Sequence, residues 1–135
     1  MSEDARSRRS AGGASSLGLH VVWCPKYRHR VLGGRVAVRL NQLLDEIAGE
    51  NDWQIVAREV MADHVHVFVG VRRTDLPAQL SRRFKARTSG VLRCELAWLG
   101  RRRVLWSKSY FVAPVGYVSE ESVRRYIEHQ WDDAA

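Results

Sequence analysis

Two runs of strand character, "DWQIVAREVM" at 52–61 and "HVHVFVGV" at 64–71, are separated by only Ala62 and Asp63. So short a connection leaves these runs one arrangement, an antiparallel hairpin. The second run also sets its own sidedness, because side chains at i and i+2 of a strand leave the same face. Val65, Val67 and Val69 therefore point one way, toward a core, while His64 and His66 share the other face.

Around this hairpin the apolar period alternates between 2 and 3.6. "LGLHVVWC" at 17–24 reads as a first strand, and "PKYRHRVLGG" follows as a basic connection with a turn signal at Gly33-Gly34. From Val36 to Glu50, Leu40, Leu43, Leu44 and Ile47 recur at helical spacing. After Thr74-Asp75-Leu76-Pro77, Leu80, Phe84, Thr88 and Leu92 predict a second helix packed by one face. Arg82, Arg83, Lys85, Arg87 and Arg93 occupy the rest of its surface. A basic turn at 101–103 leads to a fourth strand around Tyr110 to Ala113. A last helix is predicted with Ser119 as N-cap and Glu120 and Glu121 in its first turn, where the helix dipole favours negative charge. The order β-α-β-β-α-β with a terminal helix is that of an α+β, ferredoxin-like sandwich. Residues 1–16 have little to bury and read as a flexible basic and polar arm, leaving 17–135 as a single domain.

The 135 residues carry 22 Lys and Arg against 15 Asp and Glu, a net charge of +7 that points to a polyanionic partner. Two cysteines without framework spacing, no apolar stretch near the roughly 18–20 residues of a membrane span, and no hydrophobic leader at the start predict a cytoplasmic protein. No G-x-x-x-x-G-K-[ST] loop is present, so no nucleotide cofactor is expected.

Two imidazoles on one strand face can ligate a single divalent ion, although the same pattern also fits two partly exposed surface histidines. On the terminal helix Tyr126 and Gln130 stand four apart and are therefore surface neighbours, beside an apolar stripe of Val123, Ile127 and Trp131. A tyrosine is a nucleophile in covalent catalysis, and a metal held by two imidazoles and an amide oxygen would neutralise charge on a phosphodiester under attack. An ordinary half-buried tyrosine and a solvated glutamine fit the same positions.

Five blocks, "VVWCPKYRHRVL" at 21–32, "ADHVHVFV" at 62–69, "FKARTSGVLR" at 84–93, "WSKSYFVAPVG" at 106–116 and "VRRYIEHQ" at 123–130, together resemble the insertion-sequence 200-like single-tyrosine transposases of the His-hydrophobic-His type. The resemblance runs over about residues 17–131. It implies an enzyme that cuts and rejoins single-stranded DNA at imperfect hairpins near the ends of a mobile element, through a 5′-phosphotyrosine link. It implies Tyr126 as the catalytic residue and His64, His66 and Gln130 as the metal ligands, with Mg2+ or Mn2+ as the ion. A homodimer with composite active sites is implied too, acting in the cytoplasm of a prokaryotic cell and nucleoid-associated when bound to DNA.

Arg82, Arg83, Lys85, Arg87 and Arg93, with Lys26, Arg28 and Arg30, are candidates for DNA backbone contacts, and Tyr27 offers a face on which an unpaired base can stack. The competing readings are a non-catalytic or host-retained protein that binds or nicks single-stranded nucleic acid on the same fold, and a relaxase-like nickase. The RNP aromatic signature of RNA-binding sheets is not visible on the central strands.

Overall fold

The computed structural model describes residues 17–116. The predicted arm, the terminal helix, Tyr126 and Gln130 lie outside the described residues. Within them the chain runs β1 (Leu17–Trp23), α1 (Gly34–Glu50), β2 (Gln54–Met61), β3 (His64–Val71), α2 (Pro77–Glu95), a four-residue α3 (Ala97–Gly100) and β4 (Phe111–Gly116). The strands form one sheet in the order β2-β3-β1-β4, with every neighbouring pair antiparallel. This is the ferredoxin-like arrangement the sequence predicts.

The hairpin turns at Ala62-Asp63 as expected, and its register pairs Met61 with His64 and Glu59 with His66. Both helices cover one face of the sheet. Val36, Leu40, Leu43, Leu44, Ile47 and Ala48 of α1, and Leu80, Phe84, Thr88 and Leu92 of α2, are all buried. They meet the inward set Leu19, Val21, Trp23, Val65, Val67, Val69 and Val71, so the two periods find each other as complementary apolar faces. Trp23, Phe84, Trp53 and Trp106 knit this core, with Phe84 centred 5.5 Å from Trp23 and 5.3 Å from Trp53. Each such aromatic pair contributes beyond its buried area.

The helix ends follow ordinary capping chemistry. Pro77 opens α2 at a position whose N–H has no intrahelical partner to lose. At the end of α1, Asn51 Nδ2 donates to Ile47 O at 2.8 Å and satisfies a terminal carbonyl. Pro114 lies in β4, where its missing N–H is tolerated at the margin of the described sheet.

Two elements go beyond the sequence expectation. Residues Lys26–Arg28 form a 3-10 turn, and Ala97–Gly100 coil into α3; both are too short to leave a period. Gly100 is required by close approach, since a Cβ there would lie 2.6 Å from Arg93 O.

Candidate active site

The sheet face turned away from the helices carries His64, His66 and Phe68 from β3 and His20 and Val22 from β1. His64 and His66 come together as the strand period requires, their ring centroids 4.8 Å apart. Each has a polar partner. His64 Nδ1–H donates to Asp63 Oδ1 at 2.7 Å, which places the lone pair of the neutral ring on Nε2. The bond from His64, with the Arg28 charge behind it, holds the Asp63 carboxyl below the usual carboxylate range. Arg28 Nη2 reaches the other carboxylate oxygen at 3.1 Å, completing a chain Arg28–Asp63–His64.

His66 Nδ1 lies 3.0 Å from His20 Nε2, with the rings tilted at 31° and centred 5.1 Å apart. Burial, and then the nearby His20 and His64 rings, push the His66 pKa down to about 4. Burial also lowers that of His20, which is 1% exposed and stacked on Phe68. Both rings are thus neutral at physiological pH. The bond between them can run in either sense, but only His66 Nδ1–H donating to His20 Nε2 places the His66 lone pair on Nε2. With the rings arranged so, each histidine carries its lone pair on Nε2 and has its orientation set by a second residue, Asp63 for His64 and His20 for His66.

A cavity of about 360 Å3 opens on this pair, lined among others by Val22, Cys24, Arg28 and Tyr110. Its far wall, Ser109 to Phe111, is braced from α2. Lys85 Nζ donates to Ser107 O at 2.6 Å and to Ser109 O at 3.3 Å. Trp106 Nε1–H donates to the buried Thr88 hydroxyl at 2.9 Å, and that hydroxyl donates to Phe84 O at 2.6 Å. The blocks "FKARTSGVLR" and "WSKSYFVAPVG" therefore meet in space.

The basic candidates divide. Lys26, Tyr27, Arg28 and Arg30 sit in the β1–α1 connection, and Arg28 enters the cavity lining itself. Arg82, Arg83, Lys85, Arg87 and Arg93, the other candidates for DNA backbone contacts, lie on α2, on the side of the sheet opposite the histidines, and four of them have partners within the chain. Arg83 donates to Asn51 Oδ1 and covers the Trp53 ring. Arg87 pairs with Glu50 at 2.6 Å, Arg93 donates to Arg102 O at 2.7 Å, and Lys85 holds the loop described above. Arg82 is exposed and makes no such bond among the described residues. Periodicity separates a buried face from the remainder, but it is blind to partners distant in sequence.

His20 and Asp63 were missed in the sequence. The signal for His20 was its place in alternation, two residues before the outward Val22; that for Asp63 was a carboxylate immediately before the His-Val-His triplet. Among the described residues no group of three or more His, Cys, Asp or Glu side chains is arranged so that together they could hold a metal ion. Cys24 is half-buried and Cys94 exposed, and both are free thiols.

Comparison with known proteins assigns the chain. The sequence profile of the IS200-like transposases matches residues 14–130. The ISDra2 transposase TnpA of Deinococcus radiodurans is 33% identical over 131 residues, covering 93% of this chain and 91% of the relative. The transposase for insertion sequence element IS200 of Salmonella typhimurium is 25% identical over 117 residues, 84% of this chain and 76% of that one. Among solved structures, a crystal structure described as a transposase from Deinococcus radiodurans superposes with a TM-score of 0.70 at 31% identity, covering 85% of this chain and 91% of its own. A REP-associated tyrosine transposase bound to a REP hairpin shares the fold, with a TM-score of 0.58 at 14% identity over 87% of this chain and 70% of its own. With its fold, its paired histidines and a profile match spanning almost its whole length, the chain belongs to the IS200-like transposase family.

Proposed function

We propose that the chain is a metal-dependent, single-tyrosine DNA strand transferase that cleaves and rejoins single-stranded DNA at hairpin-bearing ends of a mobile element. The observation that carries this reading is the histidine pair, in which Asp63 stands behind His64 and His20 behind His66. Two imidazoles whose Nδ1 atoms each face a second residue have the support that metal-ligating histidines need, which favours this reading over that of two surface polar residues. This donor set fits a divalent ion: His64 and His66 would hold it, with the Gln130 amide oxygen completing the protein ligands. Mg2+ or Mn2+ so bound would neutralise charge developing on the scissile phosphate and orient it.

The chain's own residues perform the rest. The Tyr126 oxygen, losing its proton, attacks phosphorus; the bond to the 3′-oxygen breaks, and that oxygen leaves as a 3′-hydroxyl after taking up a proton. The product is a 5′-phosphotyrosine link. Attack by a second strand's 3′-hydroxyl returns the phosphodiester and frees Tyr126. Since each step exchanges one phosphoester for another, no nucleotide hydrolysis is needed. Arg28, which lines the cavity and is tied to Asp63, would meet a phosphate oxygen. Family membership supports a homodimer whose tyrosine helix completes the histidine site of the partner subunit. The hairpin held by the structural neighbour of the same fold supports hairpin DNA as substrate. No helix among the described residues is long and apolar enough to cross a membrane, in keeping with action in the cytoplasm.

The test is a denaturing gel of wild type and Tyr126→Phe with single-stranded DNA from the flanks of the gene, with manganese, magnesium or EDTA. A metal-dependent covalent adduct that vanishes in the variant is expected. DNA bound by the wild type with no adduct under any metal would replace this reading with a non-catalytic binding module.

A further inference from the structure

Tyr27 is 78% exposed, the most exposed large hydrophobic side chain among the described residues. Its backbone is left-handed, with φ of 61°, and Arg28 follows at 53°. Two successive non-glycine residues in this region are strained, and such strain persists only where surrounding structure imposes it. Here it does: Lys26 N donates to Leu105 O at 2.9 Å, Arg28 N donates to Pro25 O at 2.8 Å, and the Arg28 guanidinium is pinned to Asp63. The turn sends Arg28 inward to the histidine site and Tyr27 outward.

Outward, Tyr27 borders a concavity of about 530 Å3 formed with the basic turn before β4. Lys26, His29, Arg102, Arg103 and Lys108 line it, and no carboxylate among the described residues does. Lys26 Nζ lies 5.6 Å from the centre of the Tyr27 ring, the His29 ring is 5.6 Å from it, and Arg102 Nη1 donates to His29 Nδ1 at 3.0 Å. One aromatic face presented among cations matches the chemistry of an unstacked base with its phosphates. A duplex offers base edges and not base faces, so the site selects an unpaired nucleotide.

We infer that the Tyr27 concavity is a nucleotide subsite, in which one unpaired base of the DNA strand flanking the scissile phosphate stacks on Tyr27 while Arg103 and Lys108 hold its phosphates. This rests on the reading of the chain as an enzyme of single-stranded DNA. It adds a second anchoring point, coupled to the histidines through Arg28 and Asp63, that fixes where the strand crosses the site.

The experiment measures binding of the full chain to a fluorescein-labelled oligothymidylate and to the same strand annealed to its complement, by anisotropy across a salt series. Tyr27→Ala is expected to weaken single-strand binding by about 5- to 150-fold, the range of one lost base stack, and to leave duplex binding unchanged. Tyr27→Phe is expected to bind as wild type. Arg103→Ala with Lys108→Ala should flatten the slope of log affinity against log salt by about 1.4 on the single strand. Photocrosslinking with a 5-iododeoxyuridine strand should place the adduct on the peptide containing Tyr27. Equal binding by wild type and Tyr27→Ala, an equal loss on duplex, or crosslinks elsewhere only would overturn the subsite and leave the proposed function standing. A wild type that ignores single-stranded DNA would overturn both.

Discussion

Replacing Thr88 by valine removes a single oxygen from the centre of the molecule, and the structure dictates the cost. Thr88 is fully buried and Trp106 is 4% exposed, with the indole N–H aimed at the threonine hydroxyl from 2.9 Å. Valine keeps the shape and strands that N–H in an apolar setting, which costs about 1–3 kcal/mol. The methyl that replaces the hydroxyl returns up to about 0.8 kcal/mol. The lost bond to Phe84 O matters less, because a mid-helix carbonyl retains its backbone donor. A net loss of about 1–2 kcal/mol is expected, with Tm lower by roughly 4–10 °C in a domain of about this size. Urea unfolding followed by tryptophan fluorescence would read it as a lower midpoint at constant slope. Trp106→Phe closes a double-mutant cycle: with the donor gone, Thr88→Val should cost at least about 1 kcal/mol less than in the wild-type background. Additive losses, or a Thr88→Val loss under about 0.5 kcal/mol, would refute the assignment of this bond as the clamp between α2 and the segment leading into β4.

Three further outcomes follow from the same geometry. His20→Phe keeps the stack on Phe68 and deletes the nitrogen facing His66, so Mn2+ affinity measured by electron paramagnetic resonance should fall about 10- to 100-fold with the circular dichroism spectrum unchanged. Lys85→Met removes both bonds to the 107–109 carbonyls and should expose that segment to limited proteolysis several-fold sooner, while α2 keeps its packing through Leu80, Phe84 and Leu92. Arg39, which grips Glu95 through two bonds of 2.7 and 3.0 Å, holds that carboxyl below its ordinary pKa. Stability from this pair is present above the ordinary carboxylate range and is lost as pH falls through the lowered value; the acid-unfolding limb of Arg39→Ala should therefore be shallower than that of wild type.

Local pattern made much of the fold legible. Two residues between two alternating runs specify a hairpin wherever the chain goes next, and alternation alone put His64 and His66 on the face opposite the valines. Leu40, Leu43, Leu44 and Ile47, like Leu80, Phe84, Thr88 and Leu92, marked the faces that α1 and α2 bury, because hydrophobic burial acts on every turn of a helix alike. The same signals were silent about 97–100, where a single turn has no period to display.

What the sequence by itself determined is the kind and sidedness of each element, since these follow from spacings of two to four residues. What only the tertiary structure decided is who stands beside whom. His20 reaches His66 across 46 positions because the sheet order sets β1 next to β3. Arg83, Lys85, Arg87 and Arg93 each gain a partner from another segment of the chain, which no local pattern announces. Tyr27 stands exposed among cations because the fold bends two residues into a left-handed turn and sets a distant basic run beside it. Side-chain period is a property of neighbours along the chain, whereas ligand orientation, charge pairing and imposed strain depend on distances that only the assembled sheet and helices set.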